Sequence, residues 1–182
     1  MKPVSEVFRE LSLFKVIIFL KKYETGFKKR EELHSDDGDH LKRKGEGKMK
    51  KLGILNSEIS RVLSYMGHTD WIAIGDCGLP IPDEVERIDL ALTFGEPGFM
   101  RTLEVVADDM KIEKIILAEE IKEKNPKMLQ QISEYFAEQS VEVEFVSHAD
   151  LKDKTHECKA VIRTGETTPY ANIILQSGCI FA

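Results

Sequence analysis

Short continuous apolar runs recur along residues 49–182, separated by segments in which apolar residues repeat every three to four positions. The first pattern is typical of strands buried within a sheet, and the second of helices that bury one side. The predicted strands lie at 71–75, 88–92, 115–118, 141–145, 160–163 and 173–175. Such alternation of strands and helices predicts an α/β fold in which helices cover a sheet.

Capping residues predict where the helices begin. Asn56 or Ser57 precedes an apolar face made of Ile59, Val62, Leu63 and Met66, and Gly67 follows where a left-handed C-terminal cap favours glycine. Phe99, Leu103, Val106 and Met110 mark one side of a second helix. Asn125 and Pro126 start a third with Leu129, Ile132 and Phe136 on its core face, and Ser147 with Asp150 opens a short fourth.

Residues 1–48 differ from the rest of the chain. They carry 12 Lys and Arg against 9 Asp and Glu, a net charge of +3. Residues 49–182 have a net charge of −9, and the two together give −6 for the whole chain. Their one strongly apolar stretch, 11–20, is half the length of about 20 residues that a membrane-spanning helix needs. Residues 28–48 are almost wholly polar and predict disorder.

The end of this segment suggests a start-site hypothesis. Every residue of 42–51 except Met49 can be encoded by purine-only codons, as a translated ribosome-binding site would be. We therefore expect Met49 to be the natural start, with 1–48 an extension read from upstream sequence and 49–182 the functional domain. The alternative is that 1–48 is a genuine amphipathic arm.

Composition narrows the function classes. The acidic 49–182 region lacks the positive charge that draws proteins to phosphate backbones, so we expect no nucleic-acid partner and no membrane. Cys77, Cys158 and Cys179 are widely spaced and odd in number, which favours the reducing cytoplasm. No His or Cys pair has metal-ligand spacing, and neither a phosphate-binding glycine loop nor a G-x-S-x-G elbow is present. We expect no metal and no cofactor.

Polar residues at the ends of predicted elements are the candidates for chemistry. His68 follows the first helix, Asp76 ends strand 71–75, His148 lies at a strand-to-helix turn, and Tyr170, Ala171 and Asn172 precede the last strand. Ligands bind at strand ends in open α/β sheets. Each residue also has an ordinary structural interpretation, such as a helix-end charge for His68 or a turn hydrogen bond for Asp76.

A series of motifs gives these positions a common meaning. The sequence reads LGILNSEIS at 52–60, GHTD at 67–70, DCGLPIP at 76–82, RIDL at 87–90, AEEIK at 118–122, SH at 147–148, AVIRTGE at 160–166 and TPYANIIL at 168–175. This order resembles the family of ribose pyranases and L-fucose mutarotases throughout 49–182. The GLPIP and PYAN segments favour the ribose branch. Cys77 stands where many members have alanine, and members begin near the equivalent of Met49.

The resemblance implies a fold, an assembly and a reaction. It implies a three-layer α/β/α domain with a mixed sheet, a ring-shaped homodecamer with the sugar near subunit boundaries, and isomerisation of β-D-ribopyranose to β-D-ribofuranose, the form a ribokinase accepts. It implies that His68 is the proton donor and that Asp76, His148, Tyr170, Ala171 and Asn172 bind the sugar. Asp76 could alternatively orient the imidazole.

These residue types suit the implied reaction. Ring opening removes a proton from the anomeric hydroxyl and delivers one to the ring oxygen, and an imidazole exchanges protons near neutral pH. Two alternatives stay open from the sequence. One is a mutarotase acting on another sugar, such as L-fucose, and the other is a non-catalytic sugar-binding or regulatory subunit.

Overall fold

A computed structural model describes residue 50 and residues 52–181, so the predictions for 1–48 lie outside the described residues. The strands there are β1 (Trp71–Gly75), β2 (Glu86–Asp89), β3 (Ile112–Ala118), β4 (Glu142–Val146), β5 (Ala160–Arg163) and β6 (Ile173–Ser177). The helices are α1 (Ser57–Tyr65), α2 (Phe99–Ala107), α3 (Ile121–Lys124), α4 (Pro126–Phe136), α5 (His148–Lys154) and a 3₁₀ turn (Thr155–Glu157).

The strands form one mixed sheet in the order β2-β5-β1-β6-β3-β4. Strand β6 runs antiparallel to its neighbours β1 and β3, and the other pairs are parallel. The C-terminal ends of five strands therefore meet the N-terminal end of β6 along one side of the sheet, which we call the carboxyl edge. The opposite side, where β6 ends, is the amino edge.

Alternate residues of each strand bury their side chains in two separate cores. Ile72 and Ile74 of β1 join one core with the apolar faces of α1, α2, α3 and α4. Ala73 between them joins the other core, which includes Leu151 of α5 and Leu79. Because strand side chains alternate between faces, helices cover both sides of the sheet. The predicted three-layer α/β/α architecture with a mixed sheet is confirmed.

The helices begin at the predicted caps. In α1, Asn56 Oδ1 accepts the backbone N–H groups of Glu58 and Ile59, both at 3.0 Å. Asn125 caps α4 and Ser147 caps α5 in the same way. Each cap oxygen satisfies a first-turn N–H that has no partner within its helix.

The predicted left-handed cap at Gly67 is wrong. Helix α1 ends at Tyr65, the next residue is extended, and the positive φ of 69° falls instead on Thr69. The Gly67 N–H donates to Asp70 Oδ2 at 2.8 Å, so the turn forms two residues later than predicted.

Two predicted elements are also longer than the observed ones. Strand β2 ends at Asp89 because the Leu92 N–H bonds to the Glu96 carbonyl in a turn at 2.9 Å, which leaves Leu92 exposed. Helix α2 ends at Ala107, so Met110 packs against the core from the segment that follows the helix. No helix in the described part of the chain has the length and apolar character to cross a membrane.

Candidate active site

A reciprocal pair of hydrogen bonds joins Asp76 and Asn172 at the carboxyl edge. The Asp76 N–H donates to Asn172 Oδ1, and Asn172 Nδ2 donates to Asp76 Oδ2, both at 3.0 Å. Asp76 directly follows β1 and Asn172 directly precedes β6, and the antiparallel register of these strands places the two residues side by side. Asn172 is 1% exposed, so its carboxamide is fixed by this pair.

Small and charged neighbours shape the turn that carries Asp76. A Cβ atom on Gly75 would lie 3.0 Å from Asn172 Oδ1 and 2.5 Å from Leu79 Cδ2, so the absence of a side chain there makes room for the pair. On the other side of the turn, Arg163 Nε donates to the Cys77 carbonyl at 3.1 Å. The Asp76 carboxylate itself accepts hydrogen bonds from Asn172 Nδ2 and, at 2.9 Å, from the Gly78 N–H.

His148 is the first residue of α5, which begins where β4 reaches the carboxyl edge. Its backbone N–H donates to both carboxylate oxygens of Glu120, at 2.9 and 3.1 Å. Its imidazole meets the Tyr170 ring edge-on, with centroids 5.0 Å apart. The Nδ1 atom is buried and has no hydrogen-bond partner among the described residues. The ring is therefore positioned by the backbone bond and by the aromatic contact.

Burial favours the neutral form of the His148 imidazole. Burial lowers the pKa of His148 below its ordinary value of 6.5, and the positive charge of Lys152 lowers it further, against the opposing effects of Glu120 and Asp76. Hydrogen bonds from its own backbone and from His148 lower the pKa of Glu120. At neutral pH the site thus holds the ionised Glu120 carboxylate beside an uncharged ring that can accept a proton or a hydrogen bond.

Tyr170 has an unusual backbone conformation, with φ at 58°. A non-glycine residue rarely adopts this left-handed region unless its surroundings impose it. The next residue, Ala171, is fully buried, and Asn172 follows in the pair with Asp76. The turn therefore presents the Tyr170 ring at the site while the two residues after it are fixed in the core.

His68 lies at the amino edge, at the other end of β1 from Asp76. Its Nε2 is 2.9 Å from Glu113 Oε2, and Glu113 Oε1 accepts a hydrogen bond from Gln176. The hydrogen bonds from Gln176 and His68 lower the pKa of Glu113. The imidazole is about half exposed and lines a cavity of about 420 Å³, together with Leu63, Met66, Ile180 and Phe181.

One copy of the chain therefore brings together five of the six sequence-predicted residues. Asp76, His148, Tyr170, Ala171 and Asn172 share the carboxyl edge. His68 does not join them, because the five residues of β1 at ~3.3 Å each separate the two edges by about 16 Å. Within one chain Glu113, and not Asp76, contacts the imidazole of His68.

Sequence reasoning missed three residues that support the site. Glu120 could have been found, since it is the second residue after β3, at the carboxyl edge. Glu113 and Arg163 carry no such signal, because both lie inside strands and only the strand order reveals what they face. As for metals, the described residues contain no group of three or more His, Cys, Asp or Glu that could hold an ion.

Comparison with known proteins decides the family. A sequence model described as the RbsD / FucU transport protein family matches residues 49–180. The chain belongs to the RbsD / FucU family. This agrees with the resemblance in the sequence motifs, and the matched region begins at Met49.

Close relatives within this family carry one name. Proteins named D-ribose pyranase from Bacillus cereus (strain AH187) and Clostridium perfringens (strain SM101) are 56% and 51% identical to the chain over 133 residues. In both cases the match spans 73% of this chain and the whole of the relative.

Solved structures of family members share the fold. The structure of Bacillus subtilis RbsD complexed with D-ribose is 50% identical, with a TM-score of 0.70 over 73% of this chain and all of that one. The fucose mutarotase from Streptococcus pneumoniae in complex with L-fucose is 20% identical, with a TM-score of 0.58 over 68% of this chain and 93% of that one. The second likeness is one of fold only.

Proposed function

We propose that this chain is a D-ribose pyranase, an isomerase that interconverts β-D-ribopyranose and β-D-ribofuranose. One observation carries the proposal. The chain has 50% sequence identity to Bacillus subtilis RbsD over that protein's full length, and that structure is a complex with D-ribose. The carboxyl edge supports it, because the hydrogen-bonding groups of Asp76, His148 and Tyr170 converge there around a neutral imidazole.

This cluster suits a neutral polyol. Sugar hydroxyls donate hydrogen bonds, and the Asp76 carboxylate and the uncharged His148 ring accept them. The Tyr170 ring supplies an apolar face for the sugar carbons and a hydroxyl at its tip. Asn172 acts on Asp76 and keeps its carboxylate in one orientation.

The reaction needs two proton movements for each ring opening. A base takes the proton of the anomeric hydroxyl, and an acid protonates the ring oxygen as the ring C–O bond breaks. Rotation of the open aldehyde brings another hydroxyl to the carbonyl carbon, and the reverse transfers close the new ring. We assign protonation of the ring oxygen to His68, and proton transfer of this kind contributes about 10²–10⁴-fold to rate.

The separation of His68 from the carboxyl edge requires a second copy of the chain. We propose that the site is completed in the homo-oligomer, a decamer by resemblance, where His68 of one subunit meets the Asp76 cluster of the next. Contact between opposite edges is a head-to-tail interface, and such interfaces form a ring when the rotation between subunits closes.

Exposed apolar residues at both edges support this arrangement. Leu92 and Phe94, each 86% exposed, lie in a loop at the carboxyl edge, where the Gly95 N–H donates to the Gly165 carbonyl after β5. Ile180 and Phe181, also exposed, follow β6 at the amino edge beside His68. Large exposed apolar groups of this kind are typical of interaction surfaces.

The cellular setting follows from the same proposal. The furanose product is the ring form that a sugar kinase such as ribokinase accepts, and the isomerisation needs no cofactor. A cytoplasmic location accords with the free thiols of Cys77, Cys158 and Cys179.

Exchange NMR of ribose tests the function. At equilibrium, the full chain should increase magnetisation transfer between the pyranose and furanose signals of D-ribose in proportion to enzyme concentration. Stronger acceleration with L-fucose would instead indicate a mutarotase for another sugar. Saturable ribose binding without acceleration would identify a sugar-binding subunit.

A further inference from the structure

The left-handed backbone of Tyr170 has to be imposed by neighbouring groups. A φ of 58° is costly for a residue with a Cβ atom, and it persists only where other contacts fix the turn. The residues immediately before it, Thr168 and Pro169, are exposed, so burial does not fix them. On the side before Tyr170, the constraint on the turn therefore comes from hydrogen bonds.

Two side chains supply those hydrogen bonds. Glu166 Oε1 accepts the N–H groups of Thr167 and Thr168, both at 3.0 Å, and Asn125 binds the two residues directly before Tyr170. Its Nδ2 donates to Thr168 Oγ1 at 3.0 Å and to the Pro169 carbonyl at 2.9 Å. Its Oδ1 faces the opposite way and accepts the Met128 N–H at 3.3 Å as the N-cap of α4. One carboxamide therefore ties the turn before Tyr170 to the start of a helix that packs in the core.

The same segment also fixes the ring that Tyr170 contacts. Glu120, five residues before Asn125, binds the His148 N–H with its carboxylate. Helix α3 lies between them with Ile121 fully buried, and the Asn125 N–H donates to the Ile121 carbonyl at 3.0 Å. The hydrogen bonds made by Glu120 and by Asn125 are thus held at a fixed spacing, and the Tyr170 and His148 rings, which these bonds position, contact each other.

We propose that Asn125 is a positioning residue for sugar binding, acting through the turn at Thr168 and Pro169 to set the Tyr170 ring against His148. This inference rests on the proposed ribose pyranase function. Asn125 itself touches neither ring, so its effect is on the placement of Tyr170 and not on proton transfer.

Asn125→Asp tests the oxygen and the nitrogen of the carboxamide separately. An aspartate keeps the oxygen that caps α4 and is favoured at a helix N-terminus, so the helix is retained. It accepts from the Thr168 hydroxyl but offers no donor to the Pro169 carbonyl. The matched control is Asn56→Asp, the same change at the N-cap of α1, where the described residues show hydrogen bonds to the oxygen only.

We expect Asn125→Asp to raise the KM for D-ribose roughly three- to tenfold, the range set by losing one positioned hydrogen bond, with kcat within about twofold. Asn56→Asp should leave both constants unchanged. Exchange rates measured at several ribose concentrations give KM and kcat separately. In aromatic NMR spectra, the His148 Cε1–H resonance should shift only in Asn125→Asp, because that proton senses the Tyr170 ring.

Three results bear on the inference in different ways. Unchanged KM and an unshifted His148 resonance in folded Asn125→Asp would overturn it and leave Asn125 as a helix cap only. Thr168→Val removes one of the two accepting atoms without touching the cap, and should raise KM by a smaller factor in the same direction. No acceleration by the wild-type chain would instead refute the proposed function, while the shift of the His148 resonance would still test the positioning.

Discussion

Asp76 and Asn172 exchange two hydrogen bonds across the junction of β1 and β6, each 3.0 Å long, although they are 96 residues apart in the sequence. The amide supplies both the acceptor for the Asp76 N–H and the donor for its carboxylate. An asparagine at 172 therefore fixes the carboxylate in a way that neither an aspartate nor an aliphatic residue can reproduce.

Asn172→Asp should disrupt this pair. The new carboxylate can still accept the Asp76 N–H but places a second negative charge within hydrogen-bonding distance of the Asp76 side chain. Repulsion at a buried position should lower the free energy of unfolding by about 1–3 kcal/mol and weaken ribose binding. Chemical denaturation and a ribose titration measure the two effects.

The reciprocal exchange of the two side chains provides the control. In the double variant Asp76→Asn with Asn172→Asp, an amide at 76 donates to a carboxylate at 172, so the donor–acceptor pattern is restored. Stability should recover while ribose binding stays weak, since the charge has moved to a buried position. A double variant as unstable as Asn172→Asp alone would show that the reciprocal pair is not what stabilises the junction.

Mixed oligomers test whether subunits share the site. His68→Ala and Asp76→Ala should each lose most ribose exchange when assayed alone. After co-refolding in equal amounts, about a quarter of the head-to-tail contacts should pair an intact His68 with an intact Asp76 cluster. Activity should therefore return to about a quarter of the wild-type value. Co-refolded samples with no more activity than the separate variants would contradict site sharing.

Phe94→Ser tests the proposed interface at the carboxyl edge. The ring is 86% exposed, so its loss should leave the stability of the single chain within about 0.5 kcal/mol. The oligomer should dissociate and ribose exchange should fall with it. Sedimentation or light scattering gives the mass. A Phe94→Ser protein of wild-type mass would exclude this loop from the interface.

The neutral state of His148 predicts how stability depends on pH. Because burial lowers its pKa below 6.5, the unfolded chain binds more protons at this residue than the folded chain as the pH drops under that value. The contribution is thus fully present above about pH 6.5 and is lost progressively as the pH falls toward the lowered pKa. His148→Gln should flatten the dependence of Tm on pH across this window. Since the other histidines are unchanged, an equal slope in both proteins would argue against a buried neutral ring.

Local sequence signals predicted most of the fold. Continuous apolar runs located β1, β3, β5 and β6, because a buried strand exposes neither face to water. Asn56, Asn125 and Ser147 located helix starts, since an N-cap satisfies donors within its own first turn. The errors came where a local turn, formed by residues three or four positions apart, overrode the apolar pattern. Asp70 bonds to Gly67 and moves the left-handed residue to Thr69, and Leu92 turns away because it bonds to Glu96.

The sequence named candidate residues for the site but did not predict how they are arranged. Asp76, His148 and Tyr170 could be named because each stands at the end of a predicted element. Their convergence depends on strand order, which periodicity does not encode. Glu113 and Asn125 show this clearly: the first contacts His68 across two strands, and the second reaches Pro169 from a helix start 44 residues earlier.

The sequence by itself thus determined the elements, their caps, the family and the chemical types at the site. Only the tertiary structure decided that β6 runs antiparallel between β1 and β3, which brings Asn172 to Asp76 at one edge and Glu113 to His68 at the other. The physical reason is one of range. Hydrogen bonding and burial within a segment depend on neighbouring residues, whereas the direction of a strand depends on the packing of the whole sheet.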